Sequence, residues 1–227
     1  MLIALKFIAA IALLAALHIA VMAVLGNWLG IKVRRIAFGI GPVLLSRGLF
    51  ELRLLPLGGS VTLKDTRVEW VPDDVQASYF DDAFNHRPRA VQVLLPLLGA
   101  AALVLVAVVL HPGSGLVSVG SGFVQIVAGA LGPLSTAQAL LEGTRASVVQ
   151  YGFVSLLGLV AAKLAALNLL PLSATNGGQA LLALMTRDLR SAPSQRLAKL
   201  SAWSAWLWVA LALSWLVAIG FFAVQFL

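Results

Sequence analysis

The sequence predicts an α-helical integral membrane protein of about four transmembrane helices, with a small membrane-associated β-sheet between the first two. Three observations lead there. Of 227 residues, 60% are hydrophobic and only 11% are charged, and the mean hydropathy of +0.97 is one that a water-soluble domain of this size does not carry. Four apolar stretches, 2–26, 90–110, 148–172 and 202–227, come close to or exceed the roughly 20 helical residues that cross a hydrocarbon core about 30 Å thick. The connections between these stretches differ sharply in positive charge.

Each stretch is expected to be helical, because lipid cannot satisfy an exposed backbone. The first carries Lys6 near its start and invites comparison with a signal peptide. It is longer than the 7–15 apolar residues of a signal core, contains His18 and lacks a small-residue cleavage pattern before the basic run 32–35, so it is expected to remain in the protein.

Residues 31–88 follow. The run IKVRRIAFGIGPVLLSRGLFELRLLPLGGSVTL alternates short β-prone segments with Gly39, Gly41, Pro42, Gly48, Gly58 and Gly59, which predicts a small curved sheet of three or four strands. Phe50, Leu52 and Leu54 alternate with Glu51 and Arg53, giving that strand one apolar and one charged face. Residues 66–88 are acidic and polar, with Asp73, Asp74, Asp81 and Asp82, and read as a solvated loop with a short helix rather than a cation site. The glycine-rich segment 116–147 is weakly amphipathic and is expected to lie in the membrane interface or dip into it. Trp203, Trp206 and Trp208 open the last stretch, where indole rings anchor a helix at headgroup level.

Of the sixteen Lys and Arg residues, nine lie between the first two stretches and four (Arg187, Arg190, Arg196, Lys199) precede or open the last. The connection between the second and third holds only Arg145. This asymmetry predicts cytoplasmic first and third connections, with both termini outside. The net charge of +7 therefore reports topology, and no nucleic-acid partner is expected. The absence of cysteine excludes disulfides and thiolate metal sites.

At LHIAVM, GIKVRRIAFGIGPVLLSRG, LPLGGSV, AFNHRP and NLLPLSATNGGQ the sequence resembles the site-2 protease family of intramembrane zinc metalloproteases, in order and over nearly the whole chain. The resemblance implies a bacterial inner-membrane protein with a single membrane domain. It also implies a first helix carrying HExxH, a glycine-punctuated sheet ending in a PLGG turn, and a later helix ending in NLLPxPxLDGG. With only the 37 residues 111–147 between the second and third stretches, the family's PDZ module is expected to be absent.

In HExxH, two histidines one turn apart reach a zinc ion while the glutamate handles the proton of the metal-bound water. Aligned on that motif, His18 holds the first histidine position, Ile19 the glutamate and Met22 the second histidine; Asn176 stands at the aspartate of LDG. Isoleucine transfers no proton, and amide and thioether are poor zinc ligands beside carboxylate and imidazole. The expectation is therefore no bound zinc, no other cofactor and no peptidase activity.

The scaffold positions Asn168, Leu169, Leu170, Pro171, Gly177 and Gly178 remain, as does the turn containing Gly58 and Gly59. The expected function is then binding of a membrane-protein partner, as a transmembrane helix or an added β-strand, by an assembly factor, regulator or subunit of a complex. Lys163 and Asn168 join Gly58 and Gly59 as candidate binding residues. An ammonium at membrane depth is costly unless paired, so Lys163 is expected either to snorkel or pair with backbone carbonyls or lipid headgroups, or to bond Asn176 or His18 in the space of the zinc. An active metalloprotease with a rearranged site and a transporter of small ligands are the alternatives.

Overall fold

The computed structural model describes residues 2–71 and 74–225. Among the described residues the chain forms six α-helices, one hairpin and two short 3-10 helices, Ala77–Phe80 and Phe84–His86, in the loop before α2: α1 (Leu2–Trp28), β1 (Val33–Arg47), β2 (Phe50–Leu63), α2 (Arg89–Leu110), α3 (Gly115–Leu131), α4 (Thr136–Leu169), α5 (Asn176–Met185) and α6 (Gln195–Val224). Four segments, Leu5–Trp28, Arg89–Leu110, Gly152–Leu169 and Gln195–Val224, are long and apolar enough to cross a membrane. The fourth begins seven residues earlier than the apolar pattern suggested, and its expected last two residues lie outside the described part of the chain.

The third span is the second half of a longer element. Helix α4 breaks at Gly152, whose φ of 79° and ψ of −171° belong to no helix. The half before the break and α3 together account for the segment expected at the interface. That segment is not a strip lying apart from the bundle, because Val119, Gly122, Ile126 and Gly129 turn one face of α3 into the protein.

The main core lies where α1, α2, α3 and α4 converge. Ala10 and Leu14 meet Leu103 and Ala107, Val119, and the row Leu156, Val160, Ala161, Ala162 and Ala165. Alanine dominates because lipid supplies no hydrophobic drive between helices, so association rests on close backbone approach and dispersion. Helix α6 stands more apart, with Ala218 its one buried residue among those described. Directed hydrogen bonds hold it: Trp215 Nε1 donates to the Ile126 carbonyl at 2.9 Å and Ser214 Oγ to that of Ala130 at 2.5 Å.

The sheet has two antiparallel strands, where three or four were expected. The reason lies in the glycines and prolines read as strand ends, which bend the strands without ending them. Ile36, Ala37 and Phe38 lie beside Val61, Ser60 and Gly59 on one side and beside Phe50, Glu51 and Leu52 on the other. Two long strands thus fill four positions. Residues 59–63 form one margin of the sheet and pair on one side only among the described residues.

A polar layer joins the loop after β2 to the loop after α5. Lys64, only 3% exposed, donates to Asp82 Oδ1 at 2.5 Å and to the Tyr79 carbonyl, with its ammonium 3.6 Å from the Tyr79 ring centre. Asp82 therefore serves an ion pair; Asp73 lies outside the described residues. Buried Gln92 donates to the carbonyls of Asn85 and Arg87 at 3.1 and 2.8 Å, and Arg89 reaches those of Ala183, Leu184 and Arg187. These bonds set α5 beside α2, which positions the residue that opens α5.

Candidate functional site

A cavity of about 350 Å3 opens between α1, β2, the end of α4 and the start of α5. Four local features build it. Helix α1 points His18, Ile19 and Met22 into it, one helical turn separating the first from the last. Strand β2 brings Leu57, Gly58, Gly59, Ser60 and Val61 alongside them. Leu164, Leu167 and Asn168 come from α4, and Asn176 and Gln179 from α5. Trp208 of α6 completes the lining.

The chain reaches Asn176 through a tight turn. Thr175 Oγ1 lies 2.5 and 2.8 Å from the carbonyls of Leu170 and Leu172 and accepts from the Gly178 N–H at 3.4 Å, capping α5. Gly177 and Gly178 press against the backbone of the preceding turn so closely that neither leaves space for a Cβ. The NLLP-to-GG stretch is thus a device for aiming residue 176 at α1.

That aim is met. Asn176 Nδ2 lies 3.2 Å from His18 Nε2 and 2.7 Å from the Pro96 carbonyl oxygen. The carbonyl can only accept, which fixes the nitrogen of the amide toward it. The second hydrogen of the same nitrogen then points at His18, whose Nε2 must be the acceptor. With Nε2 accepting, the ring hydrogen sits on Nδ1, which is buried.

Gly99 supplies the room. A Cβ there would lie 2.7 Å from His18 Cε1 and 2.8 Å from Met22 Cγ. Neither Gly99 nor Trp208 was selected from sequence as a site residue. A glycine between apolar residues on a spanning helix was the available signal for the first. Trp208 was read as a headgroup anchor, but it faces the cavity, while Trp203 and Trp206 are 72% and 71% exposed.

The other candidates divide. Gly58 and Gly59 line the cavity, and Gly59 abuts the Ala37 carbonyl and buried Ile19 with no space for a side chain. Asn168 lines it too, with Nδ2 donating to the Leu164 carbonyl one turn back at 2.8 Å. Lys163 does not belong. Its ammonium donates to the Ser118 carbonyl at 3.1 Å and to Ser121 Oγ at 3.3 Å, tying α4 to α3 rather than bonding Asn176 or His18. The helical phase decides this, since residue 163 faces α3 while residues 164, 167 and 168 face the cavity.

The Nε2 of His18 is taken up by Asn176, Met22 offers a thioether, and no group of three or more His, Asp or Glu side chains able to hold a metal occurs among the described residues. This donor set does not fit the tetrahedral zinc of HExxH enzymes. What the cavity presents to a guest is a set of neutral hydrogen-bonding groups, His18, Asn168, Asn176 and Gln179, on an otherwise apolar wall.

A second cavity of about 350 Å3 shares Met22, Val61 and Gln179 with the first and runs to Asp65, Arg67 and Thr186 in the polar layer. Met22, Val61 and Gln179 thus stand between the site and the polar layer.

The model of Peptidase family M50, the site-2 protease family, matches residues 6–213. No curated protein matches the chain. The match corrects one expectation: the chain had been expected not to be an enzyme, and membership of a peptidase family points to a protease.

Proposed function

The chain belongs to Peptidase family M50, and on that premise we propose that it takes an extended segment of a membrane protein into the cavity between α1 and β2. The margin of β2 carries this reading. Residues 59–63 pair with β1 on one side only, and residues 57–61 border the cavity. A peptide entering there can add to the sheet through its backbone, the mode of recognition in which main-chain bonds give affinity and side-chain pockets give selectivity. The apolar lining from Leu14, Leu57 and Leu164 suits a segment drawn from a spanning helix. Asn168 and Asn176 are placed to bond its peptide groups, which have no water to turn to at this depth.

The protein is read as lying in a bacterial inner membrane with the loops around 33–88 and 186–194 in the cytoplasm and both chain ends outside. Support comes from the basic residues gathered in those two loops against the single Arg145 between α2 and α4's spanning half.

Photo-crosslinking in native membranes tests the reading. A photoreactive residue at Ser60, on the cavity wall, is expected to capture a membrane protein, and one at Leu131, bare at the end of α3, is expected to capture none of it. A captured partner that shortens on incubation identifies it as a substrate of the peptidase. Equal capture from both positions would sink the proposal.

A further inference from the structure

Where the two basic loops meet, Arg87, Arg89, Arg187 and Arg190 surround a pocket of about 280 Å3 together with His86 and Asp188. The loops are held side by side, since Asn85 Nδ2 donates to the Arg190 carbonyl at 3.4 Å and Arg89 to that of Arg187 at 3.0 Å. None of the four guanidinium groups forms an ion pair among the described residues. Arg87 and Arg89 spend their bonds on backbone carbonyls, and Arg87 Nε is buried without a partner.

The single carboxylate of the pocket is committed elsewhere. Asp188 Oδ1 accepts from the Arg190 backbone N–H at 3.0 Å and Oδ2 from Ser191 Oγ at 2.5 Å. Four positive charges therefore line one pocket with a single negative charge that already has its donors and lies near Arg190. Like charges brought together in this way favour an anion of matching geometry. Guanidinium forks fit the oxygens of phosphate better than a lone carboxylate.

Position in the membrane says which phosphate. Arg89 is the first residue of a spanning helix, and Arg190 lies five residues before the start of another. The pocket thus stands at headgroup level, where basic pockets between spanning helices hold anionic lipids. Beyond it α2 leaves Ala90, Leu94 and Leu98 exposed one turn apart, a track for acyl chains. We propose that this pocket binds the phosphate of an anionic phospholipid headgroup, its chains lying along α2.

Thermal unfolding in a neutral mild detergent tests this, with dioctanoyl phosphatidylglycerol titrated against dioctanoyl phosphatidylcholine and against inorganic phosphate. A saturable rise in Tm with phosphatidylglycerol is expected, at an apparent affinity about tenfold or more above the other two. The double variant R187Q/R190Q should weaken that affinity about tenfold, since both side chains are exposed and their loss leaves no internal bond unmade. R187K/R190K, which keeps the charge and loses the fork, should fall between. R47Q, which removes a charge at the hairpin turn, should leave the affinity as it was. A full response to inorganic phosphate alone would overturn the lipid assignment, and an equal response in R187Q/R190Q would overturn the pocket.

Discussion

Asn176 and His18, 158 residues apart in the chain, meet with Nδ2 and Nε2 at 3.2 Å, and the same amide nitrogen reaches the carbonyl of Pro96 at 2.7 Å. One side chain thus joins α5, α1 and α2 at the cavity wall. It also fixes which imidazole nitrogen carries hydrogen.

Replacing Asn176 with alanine takes the donor from His18 Nε2 and removes the one that the Pro96 carbonyl receives from outside α2. Hydrogen bonds between membrane helices contribute about 0.6 to 1.7 kcal/mol each. The Asn176→Ala variant is therefore expected to lose about 1–3 kcal/mol of stability, read as a lower midpoint in detergent-induced unfolding. An unchanged midpoint would mean that the junction is not formed.

Gly99→Ala places a methyl group within 3 Å of both His18 and Met22. Overpacking of this kind costs about 1–3 kcal/mol. Met22→Ala removes one of the two obstacles, so the double variant should be less destabilised than the sum of the singles, as a double-mutant cycle measures. Simple additivity would place the side chains elsewhere.

Lys163→Met removes the bonds to Ser118 and Ser121. Hydrogen exchange should rise along α3 and the facing part of α4, with a loss of about 1–2 kcal/mol, while the environment of His18 stays as it was. A change at His18 in nuclear magnetic resonance would return the lysine to the cavity.

The ion pair of Lys64 and Asp82 gives the polar layer an acid limit. Burial alone would raise the Asp82 carboxyl, but the hydrogen bond and charge of Lys64 outweigh it and hold the group below its ordinary value. With the folded pKa depressed, the stabilisation is present above the unfolded value of about 3.9 and is lost as pH falls through the folded one. Asp82→Asn should remove that acid dependence and cost about 1–3 kcal/mol at neutral pH, less than a fully buried pair because Asp82 is partly exposed. A stability profile whose acid limb survives Asp82→Asn would assign the limb to other carboxylates.

Much of this fold could be read in the chain because lipid narrows the choices. The four apolar runs could only be helices, and the motifs around His18 and Asn176 named two residues that the structure does bring into contact. Other features depend on geometry that composition does not carry. Gly39, Gly41, Pro42, Gly58 and Gly59 lie within strands that the pattern predicts to end there, which turns two strands into an expectation of more. Lys163 lies next to Leu164 in sequence and faces another helix, a distinction of about 100° around the axis. Gly99 shows its purpose only when His18 and Met22 occupy the space its missing side chain leaves. The absence of activity was inferred from residue identities at a few positions, and the family match over residues 6–213 points the other way.

The break at Gly152 also affects the bilayer itself. The 18 residues Gly152–Leu169 rise about 27 Å as a helix, slightly less than a typical hydrocarbon core of about 30 Å. The 30 residues of α6 would extend about 45 Å. A span that short is met by local thinning of the lipid or by residues at its ends reaching toward the headgroups, while the charged start of α6 at Arg196 and Lys199 can stand outside the hydrocarbon. Any such thinning would fall beside the cavity wall that Leu164, Leu167 and Asn168 form.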